Sequence, residues 1–352
     1  ISENNFGTTR TLYYRYDQAG RLYGVKLNAD TLATYAYDLN GNRIAVKTVA
    51  GTDSATYDEQ DRLISRGVMA SGYTRYTYTA AGELKSKTVG SAVTQYVYDP
   101  LGNLVSVTLP NGDVVTYAAD GTGCRVGRKL NGSWSGGWVY RNGLNVVADL
   151  DGAGAVVNRY VYGLSDQVPS LILNGANAYR VITDQLGSVR GVVNVSSGAV
   201  AQQTDYDAWG VANVVSGGSF QALGYAGGLS DATTGLVRFG ARDYDPVAGR
   251  WTAKDPVGIL ASSFAVYSYC NGDPANSVDP SGLSPQGVGS RLATCVSSAL
   301  EELYLDLTTP GLRAAQYWAT QSVDPQNTLA SRAAAAVLGS FAALWTPETA
   351  WK

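Results

Sequence analysis

The sequence contains no histidine and only three cysteines. The missing imidazole excludes Ser-His-Asp triads, Cys-His dyads and the histidine-containing zinc sites of proteases and deaminases. Cys124, Cys270 and Cys295 are few, odd in number and widely spaced, which argues against a disulfide framework or a zinc site. They are expected to be small buried apolar residues, and no metal or cofactor is expected.

Long apolar runs and blocks of one charge are also missing. The stretch 333–345 is Ala-rich and shorter than the ~18–20 residues that span a bilayer, so no transmembrane segment is expected. The net charge is −3 with no basic block, so nothing indicates nucleic-acid binding through phosphates. Met69 is the only methionine and Ile1 lies within a repeat, which suggests a piece of a longer protein, so a missing signal peptide is uninformative about secretion.

Tyrosine and glycine are abundant, at 24 and 41 residues, and they are arranged in a repeat. Each copy has a Tyr-x-Tyr or single Tyr, usually followed by Asp, and then by Gly or Asp before a Leu or Ile. The copies recur every 20 or 21 residues. Their second tyrosines are Tyr16, Tyr37, Tyr57, Tyr78 and Tyr98, and weaker copies follow at Tyr117, Tyr140 and Tyr162.

Each copy is interpreted as a β-hairpin. Tyr-x-Tyr places both aromatic side chains on one face of a strand. The Asp can accept hydrogen bonds from turn amides, and the Gly three residues later can adopt positive φ, as in a type I turn with a G1 bulge. A copy of ~20 residues holds two strands, half of a propeller blade. The repeat therefore predicts an all-β fold with a continuous spiralling antiparallel sheet over residues 1–165, rather than a sandwich or propeller.

These units resemble the YD repeats of Rhs proteins, the C components of toxin complexes, and teneurins. The resemblance implies that the sheet coils into a hollow shell, or cocoon. Residues 166–283 resemble the Rhs core-associated domain that closes the shell. Its terminal motifs occur here in order, as RDYDP at 242–246, GRW at 249–251, DPVG at 255–258 and DPSGL at 279–283.

Without histidine, self-cleavage at such a terminus would use carboxylates, or else Ser, Thr or Cys with another base. Two aspartates held close can share a proton, so that one activates water while the other polarises the scissile carbonyl. The resemblance to toxin-complex C components implies roles for Arg242, Asp243 and Asp255, whereas the resemblance to bacterial Rhs effectors implies Asp255 and Asp279. Asp255 is common to both, and the choice of pair stays open.

Cleavage is expected after Leu283 and before Ser284. Asp-Pro and Asp-x-x-Gly are also ordinary turn formers, and Asp245 and Asp273 are expected to be turn residues only. Residues 284–352 lose the repeat and show helical apolar spacing at 289–307, 311–320 and 327–345. In the resembled family this position carries a variable toxin or a pre-toxin segment, so a short, mainly α-helical segment is expected.

The expected function is that of an Rhs-family effector piece that encloses a C-terminal toxin and releases it by aspartic-type autoproteolysis. The resemblance implies partners: the chain's own C-terminal segment inside the shell, a secretion-system spike or toxin-complex B-type component, a chaperone and an immunity protein. It also implies export from a bacterial cytoplasm. Two alternatives remain, a non-cleaving cell-surface adhesion module and a carbohydrate-binding shell.

Overall fold

The computed structural model describes residues 2–5, 8–163, 167–218, 220–256 and 265–287, all within one compact unit, Ile1–Ala293. Only 284–287 of the predicted C-terminal segment fall in this part, so the three predicted helices and Cys295 lie outside the described residues. Within the described residues, no helix has the length and apolar character of a membrane span.

Among the described residues, twenty-one strands form one antiparallel sheet, in which each strand pairs with its neighbours in sequence. The predicted all-β fold with a long antiparallel sheet is confirmed. The strands are β1 (Ser2–Asn5), β2 (Thr8–Tyr16), β3 (Leu22–Leu27), β4 (Asp30–Tyr37), β5 (Arg43–Thr48), β6 (Gly51–Tyr57), β7 (Leu63–Val68), β8 (Gly72–Tyr78), β9 (Leu84–Val89), β10 (Ala92–Tyr98), β11 (Leu104–Thr108), β12 (Val114–Ala119), β13 (Arg125–Leu130), β14 (Ser133–Arg141), β15 (Asn145–Leu150), β16 (Val156–Val161), β17 (Leu171–Asn174), β18 (Asn177–Thr183), β19 (Val189–Asn194), β20 (Val200–Tyr206) and β21 (Ala212–Ser216).

The sheet does not stop at residue 165, where the tyrosine repeat weakens. Strands β17 to β21 extend the same meander to Ser216, because the Asp-x-x-Gly turn signal persists at Asp184 and Asp207 after the Tyr-x-Tyr pattern has faded. Two small sheets follow. They consist of β22 (Leu229–Asp231), β23 (Leu236–Phe239), β24 (Arg242–Asp245) and β25 (Arg250–Trp251), and of β26 (Ser277–Val278) and β27 (Gln286–Gly287), with 3-10 turns at Tyr225–Gly227 and Cys270–Gly272.

The hairpin turns are built on an aspartate side chain. Asp99 Oδ1 accepts the backbone N–H groups of Leu101 and Asn103, each at 2.9 Å. Gly102 closes the turn with φ +84°, and a bulge interrupts the register between Val97 and Tyr98, as the repeat predicts. The same two side-chain bonds recur at Asp17, Asp38, Asp58, Asp120, Asp151, Asp184 and Asp207.

The repeated tyrosines connect one hairpin to the one before it. The hydroxyl of Tyr37 donates to the carbonyl of Leu22 at 2.6 Å, and that of Tyr57 donates to the carbonyl of Arg43 at 2.9 Å. The first aromatic is buried in most of these pairs, as Tyr96 is at 5% exposure, and only partly buried at Tyr14 and Trp138. These rings belong to apolar clusters shared by successive hairpins. Each aromatic pair thus helps one hairpin pack against the one before it, through buried apolar area and through a specific hydrogen bond to the backbone.

The sheet curves until its two ends meet. Arg10 on β2 pairs with Asp205 on β20 at 3.2 Å, and the Arg43 guanidinium lies 4.2 Å from the ring centroid of Trp209. The segment after β21 contacts hairpins along most of this circuit. For example, Arg250 donates to the Asp61 carbonyl. The sheet therefore wraps around the described residues 220–256 and 265–287, which close it from one side.

One buried carboxylate attaches this closing segment to the sheet. Asp231 on β22 accepts hydrogen bonds from Arg128 Nε at 2.9 Å and from the Tyr117 hydroxyl at 2.6 Å. Burial alone raises the pKa of Asp231, but the bonds from Arg128 and Tyr117 outweigh it, so the pKa lies below the ordinary value. Its ionised form is therefore the form that stabilises the fold.

Gly102→Ala is expected to destabilise the protein by ~1–2 kcal/mol, because an L-residue at its positive φ is strained even though no atom lies within 4 Å of the added Cβ. Gly121→Ala is the matched control. It lies in the equivalent turn after β12, has equally open space and does not have positive φ. Urea denaturation should show a lower midpoint for the first variant and no loss for the second. Equal midpoints would contradict the turn assignment.

Asp231→Asn is expected to lower the free energy of unfolding at pH 7 by ~1–3 kcal/mol, because Arg128 loses its charged acceptor. The folded pKa is lower than the unfolded value of about 3.9, so the stabilisation is present above that pH and is lost as the pH falls through the folded pKa. Denaturation midpoints of the two proteins should converge once the pH falls below the folded pKa of Asp231. A difference that stays constant with pH would contradict the ionic role.

Candidate functional site

The small sheet β22–β25 carries the candidate residues. Its strand β24 is fully buried, and side chains alternate along it, so Arg242 and Tyr244 point to one face while Asp243 and Asp245 point to the other. On the first face Tyr244 packs against Trp251 and Tyr269 with ring centroids 5.8 and 4.3 Å away. This aromatic cluster gives Arg242 a rigid, largely dry environment.

The Arg242 guanidinium brings together both candidate aspartates of the Asp-Pro motifs. Its Nη2 lies 2.9 Å from Asp255 Oδ2 and 3.4 Å from Asp279 Oδ2. Its Nε donates to the Gly282 carbonyl, and its plane lies over the Trp251 ring, 4.2 Å from the centroid. Burial lowers the pKa of Arg242, and the two carboxylates oppose that effect by stabilising its charge.

Asp279 lies directly at the predicted cleavage junction. Its side chain is 1% exposed, and Oδ1 accepts the backbone N–H groups of Leu283 and Ser284, each at 3.1 Å. The Ser281 hydroxyl donates to the same oxygen, also at 3.1 Å. The amide nitrogen of the Leu283–Ser284 peptide is therefore held against a carboxylate that also faces Arg242.

Two glycines allow the junction turn to approach the small sheet. Gly282 has φ +68°, and a Cβ there would lie 2.4 Å from the Phe239 carbonyl oxygen. Gly240, in the β23–β24 turn, has φ +41°, and a Cβ there would lie 2.2 Å from the Ser281 carbonyl oxygen. No side chain larger than hydrogen fits either position, so the two turns are in direct backbone contact.

Asp255 reaches the site from the other side of Arg242. Its backbone N–H donates to the Val266 carbonyl at 3.1 Å, and its side chain is 10% exposed. Arg242 Nη1 also donates to the Val266 carbonyl, at 3.3 Å. The sequence DPVG continues into residues 257–264, which lie outside the described residues.

Asp243 is not part of this arrangement. Because it lies on the opposite face of β24, its carboxylate pairs with Arg125 at 2.9 Å and with Arg238 at 3.0 Å. The expectation that Asp243 acts at the junction beside Arg242 is therefore corrected. Its neighbour Asp245 pairs with Lys87 at 3.2 Å and accepts the Ala248 N–H within its turn.

The remaining candidates are accounted for by their surroundings. Asp273 accepts the Asn276 backbone N–H at 3.2 Å, as expected of a turn residue. Burial raises the pKa of the Cys270 thiol well above its ordinary value, and nearby Asp279 raises it further, so the thiol stays protonated. Cys124 is only half-buried and donates to the Gly143 carbonyl at 3.0 Å, so the expectation of burial holds for Cys270 and not for Cys124.

Sequence reasoning missed three contributors to the site. Trp251 was noted only as part of a motif, yet its ring packs on Arg242. The Ser281 hydroxyl and the Val266 carbonyl were not considered. Ser281 could have been found from its place inside DPSGL, where a short hydroxyl side chain can reach an aspartate two residues earlier. Val266 carries no signal, because any residue supplies a carbonyl.

Comparison with known proteins identifies the fold family. The family model described as Teneurin YD-shell matches residues 1–274. Mouse Teneurin-4 is 30% identical over 288 residues, which cover 78% of this chain and 10% of that protein. WapA of Bacillus spizizenii, described as a tRNA3(Ser)-specific nuclease, is 30% identical over 263 residues, which cover 72% of this chain and 11% of that protein.

Among solved structures, the crystal structure of TcdB2-TccC3-TEV aligns with a TM-score of 0.42 and 18% identity, over 77% of this chain and 18% of that chain. The chain thus spans about a tenth of the length of the curated relatives it matches. The family match covers the repeats, the closing segment and three of the four terminal motifs. The chain therefore belongs to the YD-shell family.

Proposed function

We propose that this chain is the terminal part of a toxin-associated YD shell that cuts its own backbone between Leu283 and Ser284 by an aspartic-type mechanism. The observation that carries the proposal is the position of Asp279. One of its oxygens binds the Ser284 amide, and the other faces the Arg242 guanidinium that also holds Asp255. Two carboxylates and the scissile peptide thus converge on one buried arginine.

Hydrolysis adds hydroxide from water to the Leu283 carbonyl carbon and a proton to the Ser284 nitrogen. Asp279 Oδ1 lies 3.1 Å from that nitrogen, within the distance over which a general acid delivers a proton. Asp279 is therefore assigned the protonation of the leaving amine, with the proton that Asp255 removes from the attacking water.

Asp255 is assigned the activation of the water molecule. It approaches Arg242 Nη2 at 2.9 Å, and Asp279 approaches the same nitrogen at 3.4 Å, so the two carboxylates are neighbours at one guanidinium group. Arg242 orients both carboxylates, and its bond to the Gly282 carbonyl fixes the peptide that precedes Leu283. The aromatic cluster limits water at the site, which strengthens these electrostatic contacts.

The shell, by this proposal, encloses the segment after Ser284 until delivery, as part of an exported bacterial effector. A toxin-complex B-type component or a secretion-system spike would be its delivery partner, with a chaperone and an immunity protein in the producing cell. The similarity to WapA of Bacillus spizizenii, described as a tRNA3(Ser)-specific nuclease, supports this context.

A non-cleaving binding module is the second candidate, and one observation favours it. The contact between Asp279 and the Leu283 amide is the Asp-to-fourth-residue bond of the ordinary hairpin turns, such as Asp99 with Asn103. In that case DPSGL is one more structural turn. What distinguishes Asp279 is the additional bond to Ser284 and the buried Arg242 beside it.

Denaturing gel electrophoresis separates the two functions. The purified chain of 37.0 kDa should give bands of about 30 and about 7 kDa, scaled by residue number. Asp255→Asn and Asp279→Asn should each leave one full-length band, because one proton carrier is lost. Denaturing conditions are needed because β26 pairs with β27 across the junction and would hold the fragments together.

Asp273→Asn is the matched control, since this carboxylate lies in a nearby turn without facing Arg242, and it should be cleaved like the wild type. Intact mass should place the cut after Leu283. A single full-length band from the wild type would reject autoproteolysis and favour the binding module. Equal cleavage of the wild type and both site variants would reject the carboxylate mechanism.

Arg242→Lys is expected to slow cleavage by about 10²-fold rather than abolish it, because an ammonium keeps the charge but cannot contact two carboxylates and two carbonyls with fixed geometry. A time course of cell-free synthesis, sampled into denaturant, measures the rate directly. Arg250→Lys, which removes an arginine contact elsewhere in the small sheet, is the control and should be cleaved at the wild-type rate. Equal rates for all three would show that Arg242 does not orient the site.

A further inference from the structure

A cavity with polar and apolar lining lies beside the junction turn. It has a volume of about 140 Å³, far above the ~10–15 Å³ that one water requires by the same measure. Arg125 and Cys124 line it from the long sheet, Arg238 from the small sheet, and Gly240 and Ser281 from the junction side. Asp255 and Asp279 are not among its lining residues.

In the part of the chain that the structure describes, the charged side chains that line the cavity are two arginines. Arg125 and Arg238 share one carboxylate, that of Asp243, which is 2% exposed and does not line the cavity. Two further carboxylates interact with them, Asp231 with Arg125 and Asp99 with Arg238, but neither lines the cavity. The cavity wall therefore presents two guanidinium groups and no acid.

One hydrogen-bond donor of Arg238 has no acceptor. Its Nη1 donates to Asp243 and its Nη2 to Asn103 and the Gly123 carbonyl, but its Nε is buried without an acceptor. Arg238 is 6% exposed, so bulk water does not compensate for that missing bond. Gln167 also lines the cavity, and its buried amide oxygen has no hydrogen-bond partner. A half-turn of its terminal amide exchanges the oxygen and the nitrogen, so this position can also offer a donor.

We propose that this cavity binds a small oxyanion, of the phosphate or carboxylate class, through Arg125 and Arg238. A guanidinium presents a planar set of donors that matches such oxygens, and an anion would supply the acceptor that the buried Nε of Arg238 lacks. The volume accommodates one such group with a few waters and excludes a nucleotide. This inference does not depend on backbone cleavage, because neither Asp255 nor Asp279 lines the cavity.

Cys124 provides a test in the unaltered protein, because its thiol lines the cavity while Cys270 is fully buried. The wild-type protein is treated with a methanethiosulfonate reagent in inorganic phosphate, in acetate, or in chloride of equal ionic strength. Peptide mass assigns the modified cysteine. When phosphate or acetate is present at a concentration of about four times the Kd of that anion, it should slow the modification of Cys124 about fivefold. Chloride should not slow it. The anion that protects identifies the class.

Arg238→Gln should abolish this protection, and Asp243 keeps Arg125 as its ion partner in that variant. Arg128→Gln is the matched control, because it removes an arginine of the same neighbourhood that does not line the cavity, and it should retain the protection. Equal modification rates in all three salts would overturn the proposal. Protection that persists in Arg238→Gln would do the same, since it would place the anion elsewhere.

Discussion

The buried guanidinium of Arg242 is the constraint on which the closing region depends. A charge removed from water must be matched by acceptors, or it costs several kcal/mol. Arg242 obtains them from three separate stretches of chain: Asp255, the Val266 carbonyl, and the turn of Asp279 and Gly282. Within the residues that the structure describes, none of these stretches forms a long strand or a helix of its own. Their shared need to satisfy one arginine accounts for their convergence.

The same turn chemistry builds the shell and the junction. In the hairpins, as at Asp99, an aspartate binds two backbone amides in a turn near the surface, and the local sequence suffices. At Asp279 the equivalent turn is in direct backbone contact with the small sheet. This close approach is possible because residues 240 and 282 are glycines. Burial and the nearby arginine therefore convert a common structural element into a candidate reaction site, with no new kind of residue.

Local sequence predicted the hairpins well, because turn type and tyrosine spacing are properties of about 20 residues. It also indicated Arg242, Asp255 and Asp279, which the fold brings together. Asp243 was expected beside Arg242, but it lies on the other face of β24. Strand alternation could have predicted this, because adjacent residues on a strand face opposite sides. The partners of Asp243 were beyond local reasoning, because Arg125 lies 118 positions away in the chain. Pairing at that distance is decided by how the whole sheet curves.

Strand β24 separates two charged centres of opposite composition. On the face of Arg242, one base is surrounded by two acids; on the face of Asp243, one acid is surrounded by two bases. A shift of one residue in the pairing of β24 would exchange the two faces and place like charges together in a dry interior. Packing of Tyr244 against Trp251 and Tyr269 opposes such a shift. The register of this four-residue strand is thus specified from both faces at once, which explains why so short a strand can position a buried arginine and its two carboxylates.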